Sequence, residues 1–163
     1  RGLAKKLGTN QTTIARKMKE LQGENVVDYR QEGRNKIYFL KKSLEAFQFI
    51  LISENYRVLE LLKKYPHLRG IIQKIKQDET IELAILFGSY AREKATEKSD
   101  IDIFIETTSR RIKERVEKLD SRVSVKIGKF STKNPLVREI ESNHVIIKGV
   151  ESYYDKIKFF EET

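Results

Sequence analysis

The chain has 163 residues, of which 39% are hydrophobic and 35% charged, with a formal net charge of +9 and no cysteine. That length allows one medium domain or two small ones, and the composition is that of a soluble globular chain. Disulfides and cysteine-ligated zinc are excluded, no apolar run approaches the roughly 20 residues that span a bilayer, and a signal peptide is not expected from residues 1–20. A cytoplasmic location and no membrane partner are the expectation.

The positive charge is concentrated at the front. Residues 1–42 carry eleven Lys/Arg against four Asp/Glu, residues 43–78 six against four, and residues 79–163 sixteen against sixteen. Such an asymmetry predicts a polyanion partner for the first segment and separate work for the last.

Residues 2–7 suit a short helix, which Gly8 breaks. Thr9 is a fitting N-cap for a second helix through about Leu21, with Ile14, Met18 and Leu21 on one face. The small residues Ala4 and Gly8, with Ile14, sit at offsets that let two helices cross around a tight turn. The polar face carries Gln11, Thr12, Thr13, Arg16 and Lys17, residue types that read base edges and phosphates. A hairpin is expected next. Its arms are 26–30 and 36–40 and its tip is 31–35, where Gly33 permits the turn.

This order of helix, turn, helix and hairpin resembles winged helix-turn-helix transcription factors. The resemblance implies double-stranded DNA as partner, with Arg30, Arg34 and Lys36 on the wing reaching phosphate or a minor groove. A basic surface used for protein contact is the alternative. Such a domain carries one more helix in front, so part of it is expected ahead of residue 1.

Residues 43–78 read as a helical connector. Ser43 can cap a first helix holding Leu44, Phe47, Ile50 and Leu51. A second apolar run covers 56–62, and a third runs from Pro66 to Gln77. No Gly/Ser-rich linker separates the segments, so a rigid join is expected. So many large apolar residues could pack on a sheet or build a homodimer interface.

Residues 81–105 carry the chemistry. An apolar run over 81–87 has the length of a strand buried on both faces. Gly88 can turn the chain sharply, and a helix starting near Ser89 would aim free N–H groups and a hydroxyl at one spot, a ready phosphate site. Ten residues later, Asp100-Ile101-Asp102 opens a second strand. Side chains alternate along a strand, so the two carboxylates project together. Paired carboxylates are the hard oxygen ligands that Mg²⁺ prefers. Asp-x-Asp alone is common on a strand's solvent face and Gly-Ser alone is an ordinary loop. The composite, in this order and spacing, is far more specific.

Gly88-Ser89, ten residues, then Asp100-Ile101-Asp102 resembles the signature of the polymerase-beta-like nucleotidyltransferases, in particular the minimal nucleotidyltransferases of prokaryotes. The resemblance covers about residues 68–149. It implies a small mixed sheet with helices, ATP or another NTP as substrate or ligand, and Mg²⁺. It also implies that Gly88, Ser89 and Arg92 bind nucleotide and that Asp100 and Asp102 are catalytic metal ligands. Members of this group often pair with HEPN-type toxins in toxin–antitoxin systems and can modify a Tyr on them. Two departures stand out. The family often has Gly directly after or two residues beyond the Arg of this segment, whereas Arg92 is followed by Glu93. Active members also carry a third carboxylate on a later strand, and the matching strand over 122–127 has Ser124 there. Glu106 and Asp120 are the candidate substitutes, Asp120 the better one if the strand register slips.

Beyond the motif, a charged helix is expected over 109–119, a third strand over 123–127, and a helix through about Ser142 capped by Asn134 with Pro135 in its first turn. A short strand over 145–147, stopped by Gly149, and a terminal helix over 150–162 complete the reading. His67 and His144 lack partners at ligand spacing, so both are expected to be structural.

The expected architecture is therefore α+β. Residues 1–42 form a winged helix-turn-helix lacking its first helix, 43–78 a connector, and 79–163 a minimal nucleotidyltransferase-like domain. Three functions remain open: nucleotidyl transfer to a hydroxyl, transcription regulation with a catalytically lapsed nucleotide-sensing domain, and an antitoxin-like interaction module.

Overall fold

A computed structural model describes residues 2–131 and 134–161. The chain forms two compact units. One is built from the residues up to Ile50 with the last few from Phe160, and the other from Leu51–Phe159.

In the first unit, α1 (Gly2–Lys6) and α2 (Gln11–Gly23) precede a hairpin of β1 (Val27–Glu32) and β2 (Asn35–Leu40). Gly8 takes a positive φ of 60° between the helices. Asn10, not Thr9, caps α2. It is extended at φ −86° and its side chain accepts a hydrogen bond from the Thr13 N–H at 2.7 Å, satisfying one of the donors a helix start leaves over. Ile14, Met18 and Leu21 are half-buried along one face, as their spacing predicts. The strands pair antiparallel from Val27 with Leu40 to Glu32 with Asn35. The tip is thus the two residues Gly33-Arg34, tighter than the expected five. Gly33 at φ 58° permits it.

Helix α3 (Leu44–Lys64) is one continuous helix of 21 residues where two runs were expected. Ser43 caps it, its hydroxyl accepting from the Ala46 N–H at 3.1 Å. Residues 52–55 contain neither Gly nor Pro, so nothing there ends a helix once its ladder is running. A 3₁₀ turn at Pro66–Leu68 leads into α4 (Arg69–Gln77).

The second unit is organised around a four-stranded sheet: β3 (Ala84–Leu86), β4 (Ile101–Glu106), β5 (Val123–Gly128) and β6 (Val145–Lys148). Their order is β5-β4-β3-β6. β3 is antiparallel to β4 and β6, and β4 and β5 are parallel. The parallel pair needs a crossover, which α6 (Arg110–Glu117) supplies. The sheet is mixed, as expected, and the second unit is an α+β fold. Ile101, Ile103 and Ile105 enter one core with Ile72 and Ile75 of α4 and Val116 of α6. Phe104 faces the other way, into a core with Val137 and Ile140 of α7 (Pro135–Ser142) and Tyr153 of α8 (Val150–Lys156). The period of two along β4 thus separates two helical layers.

β3 is shorter than the apolar run that contains it. Ile81 and Leu83 are buried although they lie outside the ladder, and the Leu83 carbonyl still accepts from the Glu106 N–H at 3.1 Å. Asn134 caps α7 through the Leu136 N–H at 2.9 Å, with Pro135 in the first turn. α8 ends at Lys156, earlier than expected, and residue 162 lies outside the described residues. Among the described residues, no helix is long and apolar enough to cross a membrane.

Candidate functional site

The turn between β3 and β4 is built on one glycine. Gly88 opens the four-residue helix α5 (Gly88–Ala91) at a φ of 71°, a left-handed conformation that side chains rarely adopt. It is also buried, and a Cβ placed on it would run into the carboxylate of Asp102. The turn and the strand are tied there by backbone as well, the Phe87 N–H donating to the Asp102 carbonyl at 3.0 Å. The residue that carries the Gly-Ser signal therefore packs directly on the residue that carries the Asp-x-Asp signal.

Asp100 lies one residue ahead of β4 and is exposed, whereas the expected strand began with it. Asp102 is half-buried, on the same face of β4 as Phe104. Burial, and after it the charge of Asp100, holds the Asp102 carboxyl above its usual range. Lys126 and Arg92 pull it the other way, and Glu139 adds to the rise. Arg92 caps the C-terminal end of α5 and makes a 3.8 Å ion pair with Glu139 of α7. Ser89 follows Gly88 and is half-buried, its carbonyl accepting from the Lys94 N–H at 2.9 Å.

On β5, Ser124 is the cross-strand partner of Asp102. The neighbouring strand thus carries Ser124 at the position where the resemblance implied a third carboxylate. The register has not slipped toward Asp120. That residue precedes β5 and is held by Arg122 through contacts at 2.9 and 3.1 Å. The Arg122 side chain, then its backbone N–H, depresses the Asp120 pKa to about 2. Glu106 is engaged too, accepting from the Phe130 N–H at 3.0 Å and facing Lys156 at 2.9 Å.

Lys126 and Glu139 were not singled out from the sequence. Lys126 shares the alternation of Ser124, so a strict count of two along 122–127 exposes it. Glu139 arrives from a helix far along the chain, and no local pattern announces it. The two histidines are packed, not paired for metal. His67 Nε2 lies 3.1 Å from the Tyr90 hydroxyl, and His144 Nδ1 lies 2.9 Å from the Ile140 carbonyl. Among the described residues, no three His, Asp or Glu side chains stand together as a metal cage.

The residues expected to contact DNA sit in the first unit. Gln11, Thr12, Arg16 and Lys17 are exposed on α2, and Thr13 is half-exposed. Arg16 and Lys17 approach Glu20 at 4.0 and 2.7 Å. On the hairpin, Arg30 pairs with Glu32 at 2.7 Å, Lys36 lies 3.9 Å over the Tyr29 ring, and Arg34 occupies the exposed tip.

Residues 69–152 match the model of the family described as Polymerase beta, Nucleotidyltransferase. That span contains the whole sheet with the Gly88 turn, Asp100, Asp102 and Ser124. No curated protein matches the chain.

Proposed function

The chain belongs to the Polymerase beta nucleotidyltransferase family, and from that we propose that its second unit binds a nucleoside triphosphate with Mg²⁺ at the Gly88 turn. The observation that carries this reading is the packing of Gly88 on Asp102, which leaves room for no side chain between turn and carboxylate. A phosphate held at Gly88 and Ser89 would then lie beside the metal ligands. The donor set fits the ion. Mg²⁺ keeps several waters and is commonly held by one or two carboxylates plus substrate phosphates, so the pair Asp100 and Asp102 suffices without a cage. Burial first, and then their mutual repulsion, raises the Asp102 pKa, and a divalent cation would relieve that repulsion. When bound, Mg²⁺ would neutralise charge developing on the phosphates. Arg92, freed from its loose and exposed pairing with Glu139, is a nearby cation for the remaining phosphate oxygens, beside Lys126.

Within this reading two outcomes differ in turnover. Transfer needs the acceptor hydroxyl deprotonated, and the Ser124 hydroxyl is not a useful base near neutral pH. The pairing of Asp102 with Ser124 therefore favours a nucleotide-sensing domain with slow transfer or none.

The first unit is read as a winged helix on duplex DNA, supported by the basic excess of residues 1–42 and the exposed polar face of α2. Surface ion pairs such as Lys17 with Glu20 contribute little and exchange readily for phosphate.

Titration calorimetry tests the site. Wild type should bind ATP only with Mg²⁺, and Asp100→Asn with Asp102→Asn should abolish it; equal binding by both removes the metal-ligand assignment. For DNA, affinity should fall steeply with salt, and Arg16→Ala, Lys17→Ala and Arg34→Ala together should flatten the slope by up to about 3. Salt-independent binding points to another partner for the basic segment.

A further inference from the structure

Helix α3 is apolar on two opposite sides. At about 100° per residue, Ile50, Val58 and Leu61 fall on one side, and all three are buried. Glu45, Phe49, Ile52, Tyr56, Leu59 and Lys63 fall in a single line on the other. Its four apolar members face solvent, with 40% of Phe49, 64% of Ile52, 56% of Tyr56 and 55% of Leu59 exposed. A helix apolar on one side only needs no further cover, whereas this one keeps four large side chains in water over about 15 Å of its length.

The order along this line says what covers it. The intervals are four, three, four, three and four residues, the spacing of a coiled-coil seam. They read the same from either end. A second copy running antiparallel, with the two-fold axis at the level of residue 54, therefore meets each member with a complement. Ile52 faces the partner's Tyr56, and Phe49 faces the partner's Leu59. At the ends Glu45 faces the partner's Lys63, and by symmetry Lys63 faces the partner's Glu45. A parallel pair would instead set Glu45 against the partner's Glu45 and Lys63 against the partner's Lys63. Self-complementarity about a two-fold axis is the mark of an isologous contact.

We propose that the outer stripe of α3 is a homodimer interface in which two copies of the helix pair antiparallel. Glu45 accepts from Asn25 at 2.8 Å and Lys63 donates to Glu60 at 2.6 Å within one copy. Each keeps capacity for a further partner, because a carboxylate accepts several bonds and an ammonium has three donors. The interface does not depend on the nucleotide site.

Sedimentation equilibrium on the full chain tests it. Wild type should dimerise at micromolar concentration. Leu59→Glu, at a position already in solvent, should give a monomer with an unchanged circular dichroism spectrum. Glu45→Lys or Lys63→Glu alone should weaken the dimer about tenfold, and the double reversal should restore it. The register is read by oxidation in this cysteine-free background. Ile52→Cys with Tyr56→Cys in one chain should cross-link to dimers, while each single variant should not. A monomeric wild type, efficient cross-linking of both single variants, or a dimer indifferent to Leu59→Glu would each overturn the proposal.

Discussion

Ser124 is the direct cross-strand neighbour of Asp102, in the one parallel pairing of the sheet. Asp102 is already the carboxyl held above its usual range, by burial and by Asp100. The strand that could have brought a third negative charge brings a hydroxyl instead.

Ser124→Asp should restore that charge. Without metal it should destabilise the second unit by about 1 kcal/mol, because a further like charge is forced beside two others. Mg²⁺ should cancel the loss, giving a larger Mg²⁺-induced shift in melting temperature than wild type shows. With radiolabelled ATP and hydroxyl acceptors, labelling should rise by about 10²-fold, the usual lower contribution of a positioned base. Robust wild-type labelling that vanishes in Asp102→Asn would instead show that the site is complete with Ser124.

Stability should fall at both ends of the pH range. Burial first, then the charge of Arg57, holds buried His144 below its ordinary 6.5. The unfolded chain then binds more protons below that pH, so stability is full above about 6.5 and is lost as pH falls through the folded value. Asp120, depressed to about 2 from 3.8, extends the acid loss across that lower window. Burial pushes Tyr153 up to about 12 and Tyr154 above its ordinary 10.0, the latter helped by Glu54, which accepts its hydroxyl at 3.1 Å. Raised acids act oppositely: stability is full below pH 10 and is lost as pH rises through the folded values. Urea midpoints against pH should show both limbs. Replacing His144 by Phe should flatten the portion near neutrality, and an unaltered acid limb would remove His144 as its cause.

Much of the second unit was legible because its signals are local. The period of two in Ile101-Asp102-Ile103 separates core from site, and Asn134-Pro135 announces the start of α7 within two residues. The family match to residues 69–152 agrees with what the Gly-Ser and Asp-x-Asp spacing implied. α3 was misread as two runs because its apolar residues lie on opposite faces. No single 3.6-residue stripe connects Leu51 to Tyr56, although the backbone has no reason to stop. The Asn10 cap was missed because Thr9 beside it is also a capping type, and only backbone geometry selects between them. Long-range relations left no local trace. The edge-on packing of Tyr65 on Tyr90 at 4.8 Å and the approach of Glu139 to Asp102 depend on tertiary folding alone.

Glu93 stands directly after Arg92, where the resemblance implied a glycine, and it adopts a φ of 58°. A left-handed backbone costs a non-glycine residue about 1–2 kcal/mol. Its pair with Lys64, at 3.1 Å, leaves the Glu93 side chain 70% exposed and offsets little of that. The Lys64 bond to the Glu93 carbonyl, at 2.9 Å, needs no side chain at 93. Glu93→Gly should therefore stabilise the protein by about 0.5 kcal/mol after the unfolded-state entropy of glycine is subtracted. Glu93→Ala keeps the strain and loses the pair, so it should be slightly less stable than wild type. Urea denaturation of the three proteins decides it, and Gly ranking below Ala would show that φ is not the controlling factor.

Two glycines with positive φ should both lose stability on substitution by Ala, but only one should lose nucleotide binding. At Gly149, φ 80°, a Cβ would meet the Glu82 carbonyl oxygen, with the Leu83 Cα at 3.2 Å. Backbone cannot move aside cheaply, so Gly149→Ala should cost about 2–3 kcal/mol of stability. At Gly88, φ 71°, the obstacle is the carboxylate of Asp102, whose Cγ would lie at 3.3 Å. A carboxylate can rotate, so the loss of stability should be smaller, about 1–2 kcal/mol and mostly backbone strain. The rotation would turn Asp102 away from the position it shares with Asp100, and the new methyl would occupy the approach to the turn. Mg²⁺-dependent ATP binding should then fall at least about tenfold in Gly88→Ala, while Gly149→Ala, measured below its own melting temperature, should keep wild-type affinity. Paired melting and calorimetry experiments separate the two effects. If Gly88→Ala melts far below wild type yet binds ATP normally while folded, the contact with Asp102 serves packing and not the nucleotide site.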